Sequence, residues 1–342
     1  MNITFLIGNG FDLNLKLNTG YSDFYKYYIK NDPKDLLSKS IKEDFEKWSD
    51  LEIGLGEFLK DIDESQIEEF LDSKSTLEKM LSEYLSLECQ RVAITDVNAL
   101  GEEFREKVIE FYSDFNALDR DHHNRILSAT REAINYQFIT FNYTNILDRI
   151  ISIVQKNFRP FSVHVANGVG YHDRAIMPHH IHGKLSEDLI LGLDNAGQIS
   201  NEKLKTNAKL TNYIIKSEVN KELGEKKIET AREIIDKSRY ICLFGLSIGD
   251  TDAVWWKYII EWLKRNDDNR LVLYINKNTN VQLSGQEKIR FRDFNREMML
   301  ERGRCTASEM MKQVREKIIV VPNSRIFNLK NIILKDTKND RG

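Results

Sequence analysis

Four short segments gather the residues able to do chemistry: residues 8–12 (GNGFD), 140–144 (TFNYT), 179–183 (HHIHG) and 244–252 (FGLSIGDTD). In the first, Gly8 and Gly10 let the backbone approach a pyrophosphate with amides turned toward the anion, and Asp12 stands near enough to accept from a ribose hydroxyl. The same glycines also suit a tight turn that needs positive φ. The dinucleotide fingerprint of dehydrogenases wants a third glycine where Leu13 stands, so hydride transfer is not the expectation. In the second segment Asn142 donates and accepts through one amide, which suits fixing a water or a ribose hydroxyl; asparagine is equally a common turn residue.

The third segment admits three readings. As a strand it puts His180 and His182 on one face, where they could hold a metal. The second reading is a structural role in ordinary hydrogen bonding. The third reading is acid/base work by His182 near neutral pH, with Gly183 letting substrate come close. No H-E-x-x-H or paired cysteines accompany them, so neither a metal site nor a structural zinc is expected. In the fourth segment Ser247 can bond a phosphate or ribose, and Asp250 or Thr251 can cap the following helix. Capping and turn formation alone also account for Gly245, Gly249, Asp250 and Asp252. Trp255 and Trp256 are read as core or interface residues rather than a base-stacking platform, with no site role.

These segments need strands to present them. Residues 3–7, 136–141, 240–244 and 271–275 are short apolar or β-prone runs, three of them leading straight into a chemical segment. Helical spacing follows: Tyr21, Phe24, Tyr25, Tyr28 and Ile29 behind Ser22 as N-cap; Ile146, Leu147, Ile150, Ile151 and Val154 behind Thr144; and Val254, Trp255, Tyr258, Ile259, Trp262 and Leu263. Residues 161–166, 178–183 and 189–192 are further strand candidates. Alternating strands and helices predict a Rossmann-like parallel sheet with ligands beyond the strand C-termini. It occupies residues 1–35 and 135–330. Residues 36–134 read as an all-helical insertion, and residues 331–342 as a charged tail.

With 342 residues the chain can bury a substantial core. Charged residues form 30% of it but nearly cancel, to a net charge of -3, so no global field favours a polyanion or an acidic membrane. Nucleic acid is not indicated as a partner. The dispersed Cys89, Cys242 and Cys305 argue against a disulfide framework and for a reducing compartment, the cytoplasm. The N-terminal apolar run lacks a preceding basic stretch and is too short for a signal peptide or a membrane span.

Taken together, residues 6–12 (LIGNGFD), 48–56 (WSDLEIGLG), 140–144 (TFNYT), His182 with Gly183, residues 192–194 and residues 244–252 (FGLSIGDTD) resemble the bacteriophage abortive-infection protein AbiH family over nearly the whole chain. The order of motifs is also similar to the sirtuin-like fold, whose glycine loop, asparagine loop, His-Gly pair and Gly-x-Ser loop surround NAD. This resemblance implies an antiphage effector that binds NAD, as substrate or ligand, and hydrolyses its nicotinamide–ribose bond. It makes Asn142 and His182 the catalytic pair, with Asn142 orienting water or ribose and His182 as base. The expected nucleotide contacts are Gly8, Asn9, Gly10, Phe11, Asp12, Thr140, Gly183, Gly245, Ser247, Asp250 and Asp252. Sirtuin zinc cysteines are missing and Thr144 replaces the expected acidic residue, so protein deacylation is not implied. A nucleotide sensor without turnover, and a nuclease or phosphodiesterase using Asp250 and Asp252, are the alternatives. The helical insertion would cover the cleft, self-associate or receive a phage-derived trigger.

Overall fold

Asn2–Ile7 (β1) is buried at every residue, as befits a strand with neighbours on both sides and layers on both faces. The computed structural model describes residues 1–249, 252–276, 284–305 and 308–335. Its strands continue with Val92–Ile94 (β2), Asn135–Thr140 (β3), Ser162–Ala166 (β4), Val169–Ala175 (β5), His179–His180 (β6), Ser238–Phe244 (β7), Arg270–Ile275 (β8), Ile318–Pro322 (β9) and Ile332–Leu334 (β10). An eight-stranded sheet runs in the order β4-β5-β3-β1-β7-β8-β9, with β6 beside β3. The fold is mixed α/β with a mostly parallel sheet. Only β4 and β5 pair antiparallel within it, as a hairpin at one edge.

Side-chain alternation divides the sheet between two cores. Phe5, Ile7, Phe138, Cys242 and Val272 face helices Val97–Ile109 and Ile146–Asn157. Leu6, Ile139, Ile241, Leu243 and Leu271 face helices Lys227–Asp236, Ala253–Arg265 and Gly285–Arg302. A third core stands apart from the strands: helices Tyr21–Lys30, Leu36–Glu43, Leu51–Phe58 and Ile67–Arg91 pack with Leu191, Leu193, Leu210 and Ile214. Residues 36–134 are therefore split by packing. Their first half joins the third core, while helix Val97–Ile109 lies against the sheet.

Several local expectations give way. β2 interrupts the all-helical block; three residues are too few to show a period, and their partner is β10, in what reads as a charged tail. β5 is largely exposed and polar, so no apolar pattern announces it. β6 covers only two residues, and no strand forms over residues 189–192; Leu193 instead makes an isolated parallel bridge with Ile215. Gly20, rather than Ser22, caps helix Tyr21–Lys30, and Asn145 rather than Thr144 precedes helix Ile146–Asn157. Trp255 and Trp256 are buried, as expected, and the three cysteines are free and buried. Among the described residues no helix is long and apolar enough to cross a membrane.

Candidate functional site

Parallel register sets the site. Ile7 lies level with Thr140 on one side and Phe244 on the other, so the loops after β1, β3 and β7 open at one sheet edge. The chain passes from β1 to β3 on one side and later crosses to β7 on the other, so the strand order reverses beside β1, and the C-terminal end there is the position where open α/β sheets bind ligands. A cavity of about 200 Å³ lies there, lined by Gly8, Asn9, Asp12, Asn142, His182, Gly245, Ser247 and Asp252 of the expected set. Tyr21, Asp50, Glu52, Phe141, Tyr143 and Thr144 complete much of its wall. Gly10, Phe11, Thr140 and Gly183 do not line it; Asp250 and Thr251 lie outside the described residues.

The glycine loops have a different task from the one their spacing suggests. Gly8 N donates to Phe244 O at 2.9 Å, Gly10 N to Gly245 O at 2.8 Å and Phe11 N to Gly8 O at 2.9 Å. These amides are used within the protein and do not converge on an anion. A Cβ on Gly10 would sit 2.4 Å from the Gly245 Cα, and one on Gly8 2.5 Å from the Gly245 carbonyl. The two loops are packed backbone to backbone, and Gly245 holds a φ of +69°. Gly10→Ala is expected to cost about 1–3 kcal/mol by overpacking. Urea unfolding measures this, and an unchanged midpoint would show that the loops do not touch.

The other expected contacts sort in the same way. Phe11 is a core residue packed edge-on to Phe327. Thr140 Oγ1 accepts from Asn142 N and shapes its loop. Gly183, at φ +75°, lies where a Cβ would meet the Asp188 carbonyl at 2.0 Å, so it serves a turn. Asn9 is engaged at both ends of its amide by Thr19. Ser247 stands exposed at the rim. His180 aims both ring nitrogens at oxygens, Asn142 O at 3.1 Å and Asp148 Oδ2 at 2.8 Å, and so anchors the asparagine loop.

Several groups in the cavity carry unusual electrostatics, Asp12, His182 and Asp252 among them. Asp12, 1% exposed, accepts from Thr144 Oγ1 at 2.7 Å through Oδ2. Burial pushes its carboxyl up to about 7, against the pull of Thr144, Asn142 and His180. His182 packs edge-on to Phe141 and beside Tyr143. Burial, helped by the Lys216 charge, holds its ring well below the ordinary histidine range, so it is neutral at physiological pH. Asp252 is raised to about 6 by burial, with Lys216 opposing.

Beneath the cavity wall lies an ion cluster that sequence reasoning missed. The bridge between Leu193 and Ile215 brings Asp194 beside Lys216, and Lys216 N donates to Leu193 O at 2.8 Å. Glu52 enters from the first turn of helix Leu51–Phe58, whose cap is Asp50. The Lys216 ammonium, 4% exposed, donates to Glu52 Oε1 and to Asp194 Oδ1. Burial works to discharge it, but the neighbouring carboxylates outweigh burial and keep it protonated. Burial raises Glu52 to about 8, against Lys216 and reinforced by Asp194 and Asp252. Glu52 and Asp194 fall inside quoted motifs, but Lys216 sits in a lysine-rich stretch where nothing distinguishes a buried lysine from solvated ones.

A second cavity of about 790 Å³ is lined by His182, Asp194, Lys216 and Trp255 among others, so the His182 ring touches both spaces. No group of three or more His, Cys, Asp or Glu among the described residues is arranged to hold a metal ion. In the comparisons with known proteins, the family model described as Bacteriophage abortive infection AbiH matches residues 4–274. No curated protein and no solved structure matches the chain.

Proposed function

The chain belongs to the bacteriophage abortive infection AbiH family, and from that premise we propose that it is an antiphage effector that hydrolyses NAD at the nicotinamide–ribose bond, in a sirtuin-like site. One observation carries the reading: Asn142 and His182, from distant chain segments, line the same small cavity at the C-terminal edge of the sheet. Asn142 Oδ1 is buried there without a partner in the protein, free to accept from a water or a ribose hydroxyl.

In the proposed reaction the C1′–N bond breaks and its electron pair passes to the ring nitrogen, which loses its positive charge. The ribose becomes oxocarbenium-like, and a water oriented by Asn142 adds to C1′. That water's proton goes to the neutral His182 ring. A departing neutral nicotinamide needs little acid assistance. The glycine loops contribute by fixing the cavity wall rather than by binding phosphate.

Mass spectrometry after separate incubations with NAD, ATP and nucleic acid tests this. Nicotinamide and ADP-ribose are the expected products from NAD alone. Tight NAD binding without release of nicotinamide, including in protein recovered from infected cells, overturns the reaction in favour of a nucleotide sensor. Cleaved nucleic acid with intact NAD overturns it in favour of a phosphodiesterase.

A further inference from the structure

Four buried oxygens around the cleft have no hydrogen-bond partner within the protein: Asp12 Oδ1, Asn142 Oδ1, Glu52 Oε2 and Asp194 Oδ2. Asn142 Oδ1 is an acceptor, and the three carboxyl oxygens are acceptors once ionised. The first three belong to residues that line the small cavity, and Asp12 and Asn142 are 1% and 7% exposed. Unpaired buried acceptors are complemented by a ligand that donates hydrogen bonds, carries positive charge, or does both. The cavity wall adds Asp50 and Asp252 and contains no lysine or arginine among its described residues. Lys216 does not offset this, because its ammonium is engaged by Glu52 and Asp194. A phosphate would enter an acidic space whose nearest glycine amides are already bonded. A metal ion lacks a ligand set among the described residues.

We propose that the small cavity is a receptor for a cationic N-riboside, a positively charged ring nitrogen bonded to ribose, with Asp12 and Glu52 as its specificity-determining residues. The inference rests on the reading of the cleft as an N-glycoside site and assigns which half of the dinucleotide it grips. Ribose hydroxyls donate to the free oxygens of Asp12, Asn142 and Glu52, and the carboxylates face the ring's charge. The size agrees. At about 200 Å³ the cavity is smaller than the roughly 300–1,000 Å³ of sites that enclose drug-sized ligands, so it suits a nucleoside-sized fragment.

A cation arriving here must displace protons. Asp12, facing Thr144, Asn142 and His180, is held up to about 7, and Glu52, facing Lys216, Asp194, Asp252 and Tyr21, up to about 8. Both are therefore substantially protonated near neutral pH, and a positive ligand favours their charged forms. Binding releases protons and tightens as pH rises from about 6 to about 8. An anionic ligand does the opposite.

Calorimetry in buffers of different ionisation enthalpy reads that sign directly. The probes are nicotinamide riboside, its reduced and uncharged form, and ADP-ribose, each with the parent protein and with His182→Ala to remove heat of turnover. Nicotinamide riboside is expected to bind with proton release and at least about tenfold more tightly than the other two. Glu52→Gln and Asp12→Asn should each lose about tenfold in affinity and release fewer protons. If Glu52→Gln does not fold, Asp12→Asn carries the test alone. Proton uptake, or equal binding of the reduced riboside or ADP-ribose, overturns the inference. The cleavage reading is scored separately by nicotinamide release from NAD: cleavage without charge selectivity sinks only the receptor, and selective binding without cleavage sinks only the reaction.

Discussion

Nicotinamide release by the Asn142→Ala and His182→Ala proteins is expected to fall by about a hundredfold to ten-thousandfold, the usual loss when a positioned catalytic group is removed. That is about 3–5 kcal/mol of transition-state stabilisation. The asparagine effect should be the larger of the two. Its free oxygen orients the attacking water, and capture of a short-lived oxocarbenium depends on a nucleophile already in place. His182 is neutral and available, but the burial that keeps it so also makes it a weak base. Its depressed value further predicts no activity limb from this ring in the neutral range. Any rise in rate between about pH 6 and pH 8 is expected from ionisation of Asp12, Glu52 or Asp252, the cavity carboxyls raised into that range, and it should persist in the residual activity of His182→Ala. Initial rates across that range, beside NAD affinity and thermal stability, check both statements. Variants that bind NAD and cleave it at the parental rate would falsify the assigned roles.

How much of this was legible depended on whether one segment's residues or several distant ones decide the outcome. β1, β3, β7 and β8 are short apolar or β-prone runs because both of their faces are largely covered, and such runs are visible without a partner. The convergence of their loops follows from a parallel sheet, so eight of the expected site residues do line one cavity. What the letters did not carry is the reason each is there. Gly8 and Gly10 are glycine because Gly245 presses on them, a constraint between segments more than two hundred residues apart that mimics a phosphate loop. The same holds for the 48–56 motif, where a Cβ on Gly54 would meet the Trp48 ring at 2.6 Å. Its spacing records a packed tryptophan as much as a functional glutamate. The strand over residues 161–166 was readable and forms β4, whereas β9, though an apolar β-branched run, and the exposed β5 beside β4 were set by neighbours that periodicity does not reveal.

The Lys216→Met protein is expected to lose about 3–5 kcal/mol of folding stability, the range for removing one partner from a buried ion pair. Lys216 opens helix Lys216–Glu222, an end where the helix dipole disfavours a cation. Its position there is explained by the two carboxylates. Glu52 comes from the third core and Asp194 from the segment after β6, so the ammonium ties helix Leu51–Phe58 to the wall of the cavity. Without it two buried acids face each other and Asp252 uncompensated. Glu52 and Asp194 already titrate above their ordinary values and would rise further. A carboxyl whose folded value lies above its unfolded one contributes stability that is present below the unfolded value and lost as pH rises through the folded one. The parent shares that loss up to its own Glu52 value of about 8, so the variant's deficit should be smallest at acidic pH and grow as pH rises through and above about 8. Adding Glu52→Gln should recover part of the loss, since removing both partners strands less charge than removing one. Denaturant unfolding of the parent, single and double variants across this pH range measures all three terms. A deficit under about 1 kcal/mol that does not vary with pH is what a solvent-exposed pair would give, and it would place Lys216 outside the buried cluster.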